Sequence, residues 1–546
     1  MATKKIKKYI FVVGGVMSSV GKGVTSASIA SLLKARGFKT TNIKCDMYIN
    51  LDAGTIRPTE HGEVFVGEDG VEADQDLGNY ERFTDEDMTA LNYVTTGQVY
   101  NEVIRRERNL EYAGEDVEVV PDIPNEIIRR IKLASKKNDA EITVVEFGGT
   151  VGEYQVLLFL EAARMMKFEA PDDVSFVLVS YLPVPAHIGE MKTKPTQHAS
   201  RTLNSAGIQA DFIIARGVHE LDKPRRERLA TFCNIRPDHA ISAPDVKSIY
   251  ELPTYLEQDK FSSKLLKQLK LTPRKNDLKK WKDLVTKIKS SKTPVRIGVV
   301  GKYFGTGNFT ISDSYISVIE ALKHAAWYND VDLTLDWIDS EEFEKNKKNV
   351  QKLKAYDGVI VPGGFGTRGI EGIITAIRYV REQNIPYFGI CYGMQLACVE
   401  FTRSVLKKTT AHTVEVDDST SHPVIHVNPH QAKNIKENQY GGTMRLGAYD
   451  CTLTSGSKVQ KAYGKVDISE RHRHRYEFNN EYRDAINHAG LKVVGINEES
   501  DLVEIVELEK HPFFVGVQFH PEFKSRPMRP HPLFREFVRV AKGKKV

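Results

Sequence analysis

Cys391 stands between two glycines in the stretch G-I-C-Y-G, after the apolar run "IPYFGI" and before the helix-like run "YGMQLACVEF". This is the layout of a nucleophile elbow, a sharp strand-to-helix turn that pushes one reactive side chain out of a sheet. The flanking glycines tolerate the strained backbone that such a turn requires. On spacing alone a small buried hydrophobe fits equally well, because free cysteine is among the most buried residue types. Two further pieces decide the matter. "VIVPGGFGTRG" is a strand followed by a glycine loop able to aim a backbone N–H at a developing oxyanion, and "FFVGVQFHPEF" ends a strand with His520 and Glu522. Nucleophile, base and orienting carboxylate need to be neighbours only in the fold. Cys391 is therefore read as a nucleophile, with the imidazole supplying thiolate at neutral pH.

A second chemistry is written near the N-terminus. "FVVGGVMSSVGKGVTSASIASLLKARG" reads as strand, glycine-rich loop and helix, which turns successive N–H groups and a helix dipole toward an anion. Lys22 would set its ammonium on the terminal phosphates of a nucleotide. The spacing departs from the usual phosphate loop, since Gly15 to Gly21 holds one residue too many and Gly23 replaces the metal-binding Ser/Thr. Carboxylates must then hold the metal. Glu146 ends the strand "EITVVEF", and "DGVEADQDLGNYERF" supplies Asp74 and Asp76. Mg²⁺ takes one or two carboxylates plus substrate phosphates. "GEMKTKPTQHASRTL" adds Lys192, Thr193, Lys194, Pro195, Thr196 and Gln197, a dense set of cations and hydroxyls suited to a second triphosphate.

The elements that must position these residues recur along the chain. "KYIFVV", "EITVVEF", "VSFVLVSYL", "ADFIIARG", "VRIGVVG", "DGVIVPGG", "PYFGI" and "FFVGVQF" are continuous apolar runs, the pattern of strands buried on both faces in parallel α/β sheets. "TSASIASLLKARG" and "SYISVIEALKHAAWYN" are helical connections. "VRIGVVGKYFG" opens a second α/β domain near Pro294, and the Lys-rich stretch before it carries one amphipathic helix around Trp281. The division expected is 1–271, a linker at 272–293, and 294–546.

At 546 residues the chain exceeds what one core supports. Its 41% hydrophobic and 27% charged content is that of a globular protein, and a net charge of +5 calls for no nucleic acid partner. The five cysteines form no C-x-x-C pair, which disfavours structural zinc or a disulfide framework and points to a reducing cytoplasm. No stretch reaches the roughly 18 apolar residues of a membrane span, so no membrane association is expected.

Taken together, G-I-C-Y-G and Q-F-H-P-E resemble a class I glutamine amidotransferase. Preceded by "GGVMSSVGKG", "DGVEADQDLGNYERF", "EFGGTVG" and "KTKPTQH", the chain resembles the CTP synthase family over nearly its whole length. The resemblance implies a P-loop-type amidoligase domain with a mainly parallel sheet, followed by an amidotransferase α/β domain. It also implies amination of UTP to CTP with ATP and glutamine. ATP phosphates would be cradled by Ser19, Val20, Gly21, Lys22, Gly23 and Val24 with Lys44. Asp76 and Glu146 would hold Mg²⁺, and Arg216, Asp245 and Val246 would lie on the adenine side. Ser18 and Lys192 to Gln197 match the UTP site. Gly364 and Tyr392 resemble the oxyanion hole; Gly393, Met394, Gln395, Glu415 and Arg475 match glutamine-binding positions. Pro58, His61 and Val64 resemble the gate of an internal ammonia passage. A homotetramer, activation by GTP and inhibition by CTP are further implications. A cobyrinate-type ligase also joins a phosphate loop to a glutaminase, but "KTKPTQH" and the motif order argue against it.

Two departures stand out. The family usually carries an acidic D-I-E triplet that reads the cytosine amino group of CTP, where this chain has Glu153, Tyr154 and Gln155. Arg228 replaces a common Lys, keeping charge but not geometry.

Overall fold

The computed structural model describes residues 6–58, 62–290, 292–302, 305–306, 309–310, 312–427 and 444–543. It divides into two compact units, Met1–Ala53 with Asp76–Lys289, and Gly54–Gln75 with Ser290–Val546.

The first unit is built on a seven-stranded sheet in the spatial order Tyr93–Thr95, Thr40–Asp46, Ile142–Phe147, Lys8–Gly15, Val174–Tyr181, Phe212–Gly217, Ala240–Pro244. Every neighbouring pair is parallel. The unbroken Val/Ile/Phe runs are explained by burial on both faces: Ile10, Phe11, Val12, Val144 and Val145 are all fully buried. Register does the positioning. Glu146 pairs with Val12 on one side and with Lys44 on the other, so the carboxyl ends of three adjacent strands present their polar side chains together. The helix Lys22–Ala35 leaves the first strand, and the helix Asp76–Thr84 packs on it. The Lys-rich stretch holds the helix Lys279–Lys289, whose Trp281 is buried with its ring 5.3 Å from Phe83 and 6.1 Å from Tyr250.

The second unit has a nine-stranded sheet ordered Val331–Asp339, Thr293–Gly301, Gly358–Val361, Tyr387–Ile390, Phe514–Val517, Leu502–Leu508, Leu491–Asn497, Arg445–Leu453, Asp467–His474. The first five strands run parallel, with helices Ile316–Tyr328, Ile370–Glu382 and Tyr392–Ser404 between them in sequence. From Phe514–Val517 onward every pairing is antiparallel. The expectation of parallel sheets holds for the first unit and only for half of this one. Strands such as Arg445–Leu453 alternate in burial and lack the continuous apolar run.

Residues 54–75 group with the second unit, whereas the division by sequence order assigns all of 1–271 to the first. The physical reason is a row of charged contacts around a short hairpin, Phe65–Val66 against Glu72–Ala73. Arg471 is fully buried; its Nε donates to Glu68 Oε1 at 2.9 Å and its Nη1 to the Val66 carbonyl at 3.1 Å. A buried guanidinium without such acceptors would be strongly destabilising. Lys524 meets the same Glu68 oxygen at 3.0 Å, and Arg473 donates to Glu72 at 2.8 Å. Phe65 sets its ring edge-on to Phe523 at 5.1 Å. No helix among the described residues is long and apolar enough to cross a membrane.

Phe65→Ala removes the one fully buried ring of this hairpin, at a cost of about 3–5 kcal/mol. Limited proteolysis should then cut within residues 54–75 markedly faster than in wild type; equal rates would contradict this account of why the segment docks.

Candidate active site

Cys391 sits at the junction of the strand Tyr387–Ile390 and the helix Tyr392–Ser404 with φ 50° and ψ −99°, the left-handed half of conformational space at a non-glycine residue. Its N–H donates to the Val517 carbonyl at 2.6 Å. The turn is possible only because its neighbours lack side chains. A Cβ on Gly393 would lie 2.4 Å from the Val361 carbonyl oxygen, and one on Gly389 would lie 2.6 Å from the Tyr387 hydroxyl.

His520 follows the strand Phe514–Val517 and donates from Nδ1 to Glu522 Oε1 at 2.8 Å. Its Nε2 is buried and has no hydrogen-bond partner of ordinary geometry among the described residues. Burial alone would lower the imidazole pKa; the Glu522 carboxylate and the Cys391 sulfur outweigh it and raise it to about 10. A carboxylate bonded to Nδ1 directs Nε2 toward the chemistry, as an acid/base requires. Phe523 stacks on the imidazole with ring centres 5.3 Å apart, and a Cβ on Gly363 would meet His520 Cε1 at 2.8 Å.

Cys391, His520 and Glu522 line one cavity of about 270 Å³ together with Gly364, Tyr392, Gln395, Glu415 and Arg475. Pro58 and Val64, from the hairpin segment, line the same cavity. His61 lies outside the described residues. Gly393 and Met394 are not in the lining: Met394 packs where a Cβ on Gly516 would meet it at 3.0 Å. Glu415 accepts from the Gly366 N–H at 2.9 Å, and its carboxyl is raised by burial against the opposing pull of that bond, Lys302 and Arg475. Lys302 escapes the sequence reading. It is buried, lowered to about 8 chiefly by that burial, donates to the Gly366 carbonyl at 2.7 Å, and lies 4.9 Å from the Tyr392 ring centre. Its only signal is its place at the end of the strand "VRIGVVGK", where polar side chains of α/β sheets gather.

In the first unit the phosphate loop closes with Gly21 in the left-handed region, φ 88°, as cap of the helix Lys22–Ala35. Lys22 is buried, its pKa lowered by desolvation, and it donates to the Gly149 carbonyl at 2.7 Å. Lys44 bridges the two carboxylates proposed for the metal: it is hydrogen-bonded to Asp76 and lies 3.1 Å from Glu146. Glu146 is raised to about 7, mainly by burial, with Lys44 pulling against it. Asp46 stands 3.7 Å from the same ammonium, and the sequence reading did not single it out. Asp74 falls in the other unit.

The missing loop hydroxyl has a structural explanation. A Cβ on residue 23 would lie 1.7 Å from Asp76 Oδ1, so the carboxylate occupies the space that a Ser or Thr would fill. Arg216 approaches Gly21, where a Cβ would meet its guanidinium at 2.4 Å, and pairs with Asp245 at 2.8 Å; Val246 follows that aspartate. Ser18 and Ser19 are exposed beside Val20 and Val24. The helix Lys194–Ser205 begins in "KTKPTQH" with Thr193 as its cap and Pro195 in its first turn. Gln197 donates to Thr193 Oγ1 at 3.0 Å, while its buried Oε1 has no hydrogen-bond partner among the described residues. Thr196 meets Ser180 at 2.8 Å, and Lys192 pairs with Glu190 at 2.7 Å. Lys194 and Arg228 converge on the Phe232 ring, at 5.6 and 5.8 Å. Glu153 is already engaged locally. It accepts from Thr150 N at 3.0 Å, Thr150 Oγ1 at 2.6 Å and Gln155 Nε2 at 2.7 Å, while Tyr154 is exposed.

Comparison with known proteins shows the family. Residues 8–271 match the family model for the CTP synthase N-terminus, and residues 310–540 match that for the class I glutamine amidotransferases. A CTP synthase of Pyrococcus furiosus is 49% identical over 537 residues, covering 98% of each chain. The chain belongs to the CTP synthase family. A CTP synthase of Symbiobacterium thermophilum is 47% identical over 540 residues, again covering 98% of both chains. Among solved structures, a Trypanosoma brucei glutaminase domain of this family with bound acivicin is 36% identical, covers 45% of this chain and 93% of its own, and superposes with a TM-score of 0.42.

The packing of Asp76 on Gly23 gives an unusual expectation. Gly23→Ser, which restores the hydroxyl of an ordinary phosphate loop, should weaken ATP binding by about tenfold or more, because it expels the carboxylate. Titration with a nucleotide reads this directly; unchanged or tighter binding would contradict it.

Proposed function

We propose that this family member makes CTP by hydrolysing glutamine at Cys391 in the second unit and consuming the ammonia at a phosphorylated UTP in the first. The observation that carries the reading is the buried trio of thiol, imidazole and carboxylate around one cavity that also holds an acceptor and a guanidinium for an amino acid, Glu415 and Arg475. Cys391 attacks the carboxamide carbon. The oxyanion is received by the Gly364 and Tyr392 N–H groups, and His520 protonates the departing nitrogen. Water, deprotonated by the same imidazole, then cleaves the glutamyl thioester to glutamate. Glu415 and Arg475 hold the ammonium and carboxylate of glutamine, with Gln395 beside them. Pro58 and Val64 on the wall of this cavity support an exit for unprotonated ammonia through the 54–75 segment.

In the first unit, Lys22, Lys44 and the loop N–H groups neutralise ATP phosphates, with Arg216, Asp245 and Val246 on the adenine side. Two hard oxygen donors, Asp76 and Glu146, converge on one cation, Lys44. Among the described residues no group of three or more metal-binding side chains forms a self-sufficient site. A carboxylate pair completed by substrate phosphates suits Mg²⁺, which when bound would spread the charge of the transferring phosphoryl group. ATP phosphorylates O4 of the uracil ring, and ammonia displaces that phosphate at C4. The UTP phosphates are assigned to Ser18, Lys192–Gln197 and Arg228, supported by the unpartnered Gln197 oxygen and by the clustered cations.

Cys391→Ala should abolish CTP formation from UTP with glutamine while leaving the ammonium-driven reaction unchanged; parallel loss of both would sink the assignment. Glu522→Gln removes the charge that raises His520. Burial then lowers its pKa, the imidazolium is lost at lower pH, and the alkaline limb of the glutamine-driven rate should move down by at least about one unit. Glutamine-driven kcat should fall about 10²–10⁴-fold, and an unmoved limb would contradict the coupling. Feedback by CTP should be weaker than in a Glu153→Asp, Tyr154→Ile, Gln155→Glu triple variant, because Glu153 is engaged by Thr150 and Gln155. Equal inhibition of the two proteins would refute this.

A further inference from the structure

Gln518, the residue two before His520 in "VQFHPE", is fully buried and has no part in the assignments above. Its Nε2 lies 3.7 Å from Cys391 Sγ, within the longer reach of a sulfur acceptor. What turns this contact into a directed one is a chain of partners whose polarity is fixed at a single backbone atom. The Tyr476 carbonyl can only accept. It receives Gln395 Nε2 at 3.0 Å and faces His474 Nδ1 at 3.1 Å.

The remaining orientations follow from the donor and acceptor inventory. Gln395 must turn its nitrogen, not its oxygen, to that carbonyl; its second N–H then meets Gln518 Oε1 at 3.1 Å. With its oxygen accepting there, Gln518 can present only its N–H groups to the sulfur. On the other side, His474 carries its proton on Nδ1, so its Nε2 accepts from His472 Nδ1 at 3.0 Å. His472 Nε2 is left as an acceptor 3.5 Å from Glu504, whose carboxyl is raised by burial against the pull of Arg445, 2.6 Å away. Both imidazoles are held neutral, first by burial and then by Arg445, which keeps each of them a one-proton relay.

We propose that Gln518 is a positioning residue for the sulfur nucleophile, its side-chain N–H held on Cys391 Sγ by a hydrogen-bond chain whose polarity is set at the Tyr476 carbonyl. An N–H donated to sulfur favours the thiolate over the thiol and fixes the direction from which it attacks. The other titratable and charged groups lining the cavity are His520, Glu522, Glu415, Glu63, Arg473, Arg475 and the neutral His474, with Lys302 acting on Glu415 from behind; none of them changes in a Gln518 variant. The inference rests on reading Cys391 as the nucleophile.

The test uses the full chain with Gln518→Glu, which keeps size and the acceptor but replaces the donor with a charged oxygen, and Gln518→Met, which removes both. The pH midpoint of Cys391 alkylation by iodoacetamide should rise by about one unit in each, and more in Gln518→Glu. Glutamine-driven kcat should fall about tenfold with KM for glutamine within about twofold of wild type, while the ammonium-driven rate stays level. Alkylation midpoints coincident with wild type in either variant, or a change confined to KM, would overturn the proposal. Failure of the underlying reading shows separately, as wild-type alkylation that spares the glutamine-driven reaction.

Discussion

A non-glycine residue held at positive φ is the constraint on which the second unit turns. Cys391 at φ 50° costs about 1–3 kcal/mol relative to relaxed backbone. It is maintained by the short N–H bond to Val517 and by glycines whose missing Cβ atoms let backbone segments close to distances no side chain permits. The same turn places the Tyr392 N–H at the first position of a helix, where its dipole favours negative charge. It also leaves the sulfur facing two elements that arrive from elsewhere in the sheet, the His520 turn and the Gln518 side chain. Strain, helix N-terminus and exposed direction of the sulfur are thus one local geometry.

The first unit depends on a different balance, the crowding of carboxylates and ammoniums at the ends of three parallel strands. Lys44 sits among Asp46, Asp76 and Glu146, and Lys22 is buried nearby. Burial penalises each charge, so the group is stable only as a set, and a polyphosphate with its cation fits such a set by adding charge of both signs. The position of Gly23 shows how closely the set is packed. The residue that would normally carry a hydroxyl has surrendered its side chain to make room for a carboxylate from another helix.

Much of this was legible in the sequence, because the chemistry lies at strand ends and those strands are continuous apolar runs. Glycines around Cys391 and the H-P-E triplet pointed to the amidotransferase domain, and the strand–loop–helix order placed the Gly21 turn before the helix Lys22–Ala35. The antiparallel half of the second sheet was missed since its strands carry charged or polar residues between their apolar ones, as in Leu502–Leu508 (LVEIVEL) and Arg445–Leu453 (RLGAYDCTL), which gives no uninterrupted apolar run. Residues 54–75 were assigned by sequence order, and nothing local reveals that Glu68 and Glu72 answer Arg471 and Arg473, some four hundred positions away. Lys302 and Gln518 escaped for the same reason: their importance lies in what they touch, which only the fold supplies.

The account stands or falls on where glutamine nitrogen is released. Treating the full chain with a diazoketone analogue of glutamine and mapping the adduct by peptide mass spectrometry tests this most directly. A single adduct on the peptide bearing Cys391, with glutamine-driven synthesis lost and ammonium-driven synthesis intact, is the predicted result. An adduct on another residue, or loss of activity with Cys391 unmodified, would contradict it.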